Sequence, residues 1–329
     1  MCSCSKNENI RTIKLDDVPL KKIKIVNTVS LDSVNAFNVF SFDRYIFAVV
    51  PQSSYGKKPY SVYDDKLKLI TTTGEFGHSG EEFTDVNPLY VYKTDTSFFQ
   101  CTDGFFESEF KFRNNKLTLM NKKRISSLNM NELCRLNDSI VVFQSENMEK
   151  EFVMYNTLKN EMIYSFSTYP EGEEAINDYG DFIEKEDRWN YYDKTIAYNK
   201  VEECIYSFYL NIPLVRIYDK DGNNIISFAL DMEKSGRKEY IEKYAQGDNP
   251  IYFCMVRALR GNVFSLYHGV QYAAPYSEIQ VWAKDGLKHR FYSNRWISCF
   301  DVDDSGKFIY GIFIENDTAY LFKSEIAMV

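Results

Sequence analysis

Apolar and polar residues alternate with a period of two through most of the chain, in short runs broken by Asp, Asn and Gly. Stretches such as "AFNVFSFDRYIFAVV" and "SCFDVDDSGKFIYGIFI" are two alternating arms around a polar turn, the pattern of an antiparallel hairpin. A second kind of hairpin follows each of these, and its first strand ends in an aromatic residue: Tyr63, Phe112, Tyr155, Tyr218, Trp282 and Phe322. The mean spacing of these six aromatics is about 52 residues, close to the period of propeller blades. The pattern predicts an all-β fold, a six-bladed β-propeller with four-stranded antiparallel blades, whose strands are lettered A to D from the axis outward.

The sixth repeat stops after its third strand, whereas residues 21–31, "KKIKIVNTVSL", form a strand with no hairpin partner. If this N-terminal strand completes the last blade, the ring closes and no sheet edge is left open. Residues 20–329 are then one propeller domain and residues 1–19 a tether. Residues 231–247, "DMEKSGRKEYIEKYAQG", read as a helical insertion between blades.

In such a ring the A–B and C–D turns emerge on one face and the B–C and D–A connections on the other. The first group, such as "SFDR", "RNNK" and "AKDGL", is tight; the second includes all the long connections. Long loops on a rigid scaffold are where binding residues concentrate. The candidates are the aromatic residues Tyr55, Trp189, Tyr191, Tyr192, Tyr272, Tyr276 and Trp296, with Arg237, Arg295 and His78 as polar partners. Tyr and Trp offer a large contact area at small cost in rotamer freedom, which suits a protein, peptide or glycan partner. The stretch "EFGHSGEEF" at residues 75–83 is read as a structural D–A connection, with Phe76 and Phe83 anchoring its ends.

Composition narrows the possibilities. Aromatics are 16% of the chain, which favours strands. The net charge of −8 and the lack of a basic run argue against nucleic acid. No apolar run is long enough to span a bilayer as a helix, so membrane contact is expected only through a lipid. Cys101, Cys134, Cys204, Cys254 and Cys299 stand singly in apolar runs and read as buried free thiols. Cys2 and Cys4 lie in a small, polar stretch, "MCSCSKNENI", of the kind that follows the lipid-bearing cysteine of an envelope lipoprotein; Cys2 is the first choice for lipidation and Cys4 the second.

Other motifs fail on their own chemistry. "DKDGNN" at Asp219 and "DVDDSGKFIYGI" at Asp301 resemble calcium loops, but the first has its Gly too early and the second places Ile312 where a bidentate Glu is needed, so both read as hairpin turns. His268 and His289 have no neighbouring histidine at ligand spacing. No nucleophile elbow, P-loop or dinucleotide fingerprint occurs, and neither a cofactor nor a metal is expected.

The polar start from Cys2 to Lys6, the passage "VYDDKLKLITTTGEFGHSGEEF" and the closing "FDVDDSGKFIYGIF" together resemble the TolB-like six-bladed propeller family of bacterial envelope lipoproteins. Gly77, Gly80, Glu82 and Phe83 match the family's loop loosely, without its proline. The resemblance implies an exported, lipid-anchored protein and transfers no catalytic residues. The expected function is a monomeric, non-enzymatic binding module of the cell envelope that uses the long-loop face. A propeller hydrolase or lyase with an axial, metal-dependent site is the alternative.

Overall fold

The structure, a computed structural model, describes residues 10–31, 38–49, 58–77, 82–83, 90–102, 106–124, 131–144, 149–170, 192–231, 250–271 and 276–326. Its strands form six sheets in consecutive order, each built on four antiparallel strands as the repeat predicts. The N-terminal segment contributes strands β1 (Ile10–Lys14), β2 (Leu20–Lys22) and β3 (Lys24–Ser30). Blade 1 then holds β4 (Asn38–Phe42), β5 (Tyr45–Val49), β6 (Tyr60–Tyr63) and β7 (Leu69–Thr73). Blade 2 holds β8 (Val91–Lys93), β9 (Phe98–Thr102), β10 (Phe106–Arg113) and β11 (Lys116–Arg124). Blade 3 holds β12 (Asn131–Arg135), β13 (Ile140–Gln144), β14 (Phe152–Asn156) and β15 (Glu161–Phe166). Blade 4 holds β16 (Lys194–Asn199), β17 (Cys204–Tyr209), β18 (Leu214–Asp219) and β19 (Asn224–Asp231). Blade 5 holds β20 (Pro250–Leu259), β21 (Asn262–Gln271), β22 (Ser277–Ala283) and β23 (Gly286–Ser293). Blade 6 holds β24 (Ile297–Val302), β25 (Phe308–Glu315) and β26 (Thr318–Glu325).

The missing strand is β3, which runs antiparallel to β26 with Lys24 opposite Glu325 and Ser30 opposite Tyr320. The ring is thus closed by residues about 300 positions apart, in the segment the sequence singles out. The residues just before it differ from the expectation. Part of the stretch read as tether is strand β1, which adds a fifth, parallel strand to blade 4 with Ile10 opposite Ser227. Strand β2 does the same for blade 5, pairing Leu20 with Arg290. The N-terminal chain therefore crosses the outer edges of three successive blades. Arg290 fixes this path by donating from Nη1 to the carbonyl of Leu15 at 2.6 Å, while its remaining donors hold Glu278.

Local chemistry explains the tight hairpins. Two-residue loops that match the right-handed strand twist need φ > 0 at both positions, which Asn, Asp and Gly tolerate best. Asn114–Asn115 and Asn316–Asp317 have φ between 50° and 60° and join antiparallel neighbours. The recurrent aromatics lie on the third strand of each blade. Tyr63, Tyr155, Tyr218, Trp282 and Phe322 are buried and Phe112 is half-buried. They pack one blade on the next: the Trp282 ring of blade 5 meets Phe208 and Phe228 of blade 4 at 5.7 and 6.0 Å between centroids.

In the connection at residues 75–83, Gly77 donates to the carbonyl of Phe83 at 2.9 Å, and Phe83 donates back to that of Glu75 at 3.0 Å. Phe83 is buried and Phe76 packs partly buried against the same cluster, so both anchors hold. The predicted helical insertion lies outside the described residues, apart from Asp231 in β19. Among the described residues no helix is long and apolar enough to cross a membrane.

Candidate functional site

The innermost strand of each blade runs along the axis from the long-loop face to the tight-turn face. Residues at the C-terminal ends of these strands therefore gather around one mouth of the axial channel. There a cavity of about 340 Å³ is lined by β8, β12, β16, β20 and β24 with their following turns, so five blades contribute. It opens at the tight-turn end, opposite the face on which loop lengths place a ligand. The long connections lie largely outside the described residues.

The centre of the site is Asp301 of blade 6, only 2% exposed. Its Oδ2 accepts from the Lys93 ammonium at 2.7 Å, the Ser41 amide at 2.6 Å and the Ser41 hydroxyl at 2.9 Å. Its Oδ1 faces Arg257 Nε at 3.4 Å, and Arg257 Nη2 donates to Asn38 Oδ1, also at 3.4 Å. One carboxylate thus ties blades 1, 2, 5 and 6 together at the axis. Burial alone would raise its pKa, but Lys93 and Arg257 hold it below the ordinary carboxylate range.

Arg135 forms the opposite wall and is fully engaged. It pairs with buried Glu107, donates to Tyr90 Oη at 3.0 Å, and donates to the carbonyls of Asn137 and Asp138 at 3.2 and 3.0 Å. At the rim, Lys200 and Arg260 are exposed, and Arg260 donates to the carbonyl of Ser305 at 3.2 Å. Asp304 stands between rim and floor, its pKa raised by burial and by Asp301 and Asp303 despite nearby Lys93.

Deeper along the axis, Glu132 interrupts the β12 ladder at a bulge with φ of 38°, a left-handed conformation uncommon for a non-glycine residue. Burial and the nearby Asp193 carboxylate push its pKa up to about 8, against Thr195 and Arg257, which pull it down. A strained carboxyl tuned near neutrality is the kind of group that concentrates at functional sites, and Glu132 lies one residue before the cavity-lining Leu133. Among the described residues, no three His, Cys, Asp or Glu side chains are placed to hold a metal ion.

The loop candidates divide. Cys2, Tyr55, His78, Trp189, Tyr191, Arg237 and Tyr272 lie outside the described residues. Tyr192 is 1% exposed and packs on Tyr169 and Tyr209, so its ring is part of the interior. Trp296 is half-buried and stacks on His268 at 3.6 Å. Arg295 lies over Phe313 at 4.3 Å and pairs with Glu315, while the Tyr276 hydroxyl is engaged by Glu278. His268 is buried, with its pKa lowered to about 4, so it remains neutral in the stack. The free thiols of Cys134, Cys204 and Cys299 are buried and that of Cys254 half-buried; burial pushes Cys299 up to about 12, far from a reactive thiolate.

Sequence reasoning missed Lys93, Arg257 and Asp301. Each stands in an ordinary strand or turn context, and only ring closure brings them together.

The fold defines a six-bladed β-propeller with an axial cavity. It is similar to the crystal structure of a protein of Bacteroides fragilis NCTC 9343 named as a presumed exported protein, with 8% identity, TM-score 0.53, and coverage of 97% of this chain and 100% of that one. It is also similar to a member of the DUF4221 family from Bacteroides vulgatus ATCC 8482, with 9% identity, TM-score 0.57, and coverage of 93% and 98%. No protein-family model and no curated protein matches the chain.

Proposed function

We propose that the chain is a non-catalytic binding module of the bacterial cell envelope that takes its ligand at the mouth of the propeller axis. One observation carries this reading: a cavity of about 340 Å³, within the range of small-ligand sites, built from five blades around a charged floor. Catalysis gains less support from the geometry. Glu132 offers a proton near neutral pH, but the described thiols are buried or half-buried and His268 is buried and stacked on Trp296.

The setting is proposed on two grounds. One structural neighbour is named as a presumed exported protein, and the polar segment after Cys2 suits a lipid anchor there, as in the TolB-like proteins the sequence resembles. The long-loop face supports a second and larger contact with an envelope protein, peptide or glycan. The half-exposed Trp296, fixed by its stack on His268, favours that surface.

Capture from detergent-extracted envelopes tests the cavity. Ala258→Trp places an indole in the mouth, since Ala258 lines it and is exposed. The variant is expected to lose partners that the wild type retains, and unchanged capture would overturn the axial reading. Metabolic lipid labelling is expected to disappear with Cys2→Ser and persist with Cys4→Ser.

A further inference from the structure

The axial cavity has the wrong sign of charge for the protein that contains it. The chain carries −8 overall, yet five basic residues line the cavity, Lys93, Arg135, Lys200, Arg257 and Arg260, against two acidic ones, Asp301 and Asp304. Arg135 is neutralised from behind by Glu107, with which it shares a buried ion pair. Asp301 is shared by two cations, Lys93 and Arg257, so one carboxylate offsets only one of them. Asp304 offsets one more, so two positive charges remain in excess, arranged in two tiers: a floor of Lys93 and Arg257 around Asp301 and a rim of Lys200 and Arg260 near Asp304. Between the tiers the wall is apolar, with Ala197, Val256 and Val302 among its residues. Such walls exclude water and concentrate the field of the cations in the cavity.

We infer that the cavity is the binding site for a compact organic anion, a di- or tricarboxylate or a phosphate ester, which inserts one anionic group towards Lys93 and Arg257 and presents another to Lys200 and Arg260. Asp301 and Ser41 already show the coordination the floor offers, with ammonium, hydroxyl and amide donors converging on one carboxylate oxygen. Asn38 stands behind the floor: it is 1% exposed, and its Oδ1 accepts from Arg257 Nη2 at 3.4 Å. A neutral sugar would leave both tiers uncompensated, and an extended polyanion could not enter a cavity closed on its sides by five blades. The ligand is thus small, and it carries at least two negative charges a few ångströms apart.

The inference rests on the binding-module reading, because it uses the same cavity, and calorimetry can separate the two. Citrate, glucose 6-phosphate and inorganic phosphate are titrated into the full-length protein, with glucose as the neutral control. Citrate or glucose 6-phosphate is expected to bind and glucose to give no heat, and which of the two binds identifies carboxylate or phosphate as the preferred group. The double variant Lys200→Glu/Arg260→Glu, exposed and remote from the core, is expected to keep the melting temperature of the free protein and weaken binding at least about tenfold. Affinity is expected to fall several-fold between roughly 20 and 200 mM salt, because the rim charges are screened. Absence of binding by all three anions, or charge reversal without effect, would overturn the inference. Binding of glucose that Ala258→Trp abolishes would overturn the anionic class alone and leave the binding module standing.

Discussion

Glu151 is a carboxylate with no water contact, between blades 3 and 4, where five donors meet it. Lys194 Nζ, Tyr209 Oη and Ser167 Oγ lie within 2.6–2.8 Å of it, Arg216 Nη1 at 3.0 Å and Tyr218 Oη at 3.3 Å. Lys194 and Arg216 hold it ionised against burial, below the ordinary carboxylate range. Removing one partner of such a set leaves unpaired charge in the interior, so Glu151→Leu is expected to lose about 3–5 kcal/mol in urea denaturation. Glu132 has the opposite sign. A carboxyl whose pKa is raised on folding binds its proton more tightly folded than unfolded. Its contribution is complete below about pH 4.5 and is lost as pH rises towards about 8. Glu132→Gln is therefore expected to flatten the decline in melting temperature between pH 6 and 9. Neither residue announces itself in the sequence, since Glu151 follows a lysine in a polar turn and its partners are 16 to 67 positions away.

At the scale of strands, period-two alternation and turn chemistry made the hairpins legible, because both are local. Gly311 of β25 shows how tightly the resulting sheets pack: a Cβ there would lie 2.5 Å from the Phe322 ring and 2.8 Å from the Cys299 carbonyl. Gly311→Ala is expected to cost about 1–3 kcal/mol, read as a lower urea midpoint with an unchanged slope. Strands β1 and β2 were not legible, for a physical reason. They are short and largely exposed, they lack a hairpin turn, and they gain their order from edges more than 200 residues away. Their hold depends on Arg290. Arg290→Ala is expected to speed amide exchange across β1 and β2 while β24 to β26 keep their protection. The motif "DVDDSGK" was legible in half: Asp303 does cap the turn, accepting from the amides of Lys307 and Phe308 at 3.0 and 2.8 Å. Asp301, two residues earlier, instead faces the axis, 208 positions from the lysine it binds.

For the whole molecule, ring closure is the property the sequence displays best, since an incomplete last repeat and an unpaired first strand need each other. The axial cavity is the property it displays least, because its lining is divided among five blades, each supplying a short run of residues from a different part of the chain. The two kinds of N-terminal strand are expected to differ in weight. Deleting residues 10–22 should leave a folded ring with a modestly lower melting temperature, whereas deleting residues 10–30 should also expose β26 and drive aggregation, as gel filtration would show.

The clasp between β3 and β26 also dictates an order of events on the ribosome. The strand that completes blade 6 is synthesised before the five preceding blades, and its partner emerges only after them. Until then β3 must wait, and every nascent intermediate carries a raw sheet edge at each end of its growing arc. Locking of the ring therefore waits for β26, and a product truncated before that strand is left without its final fastening.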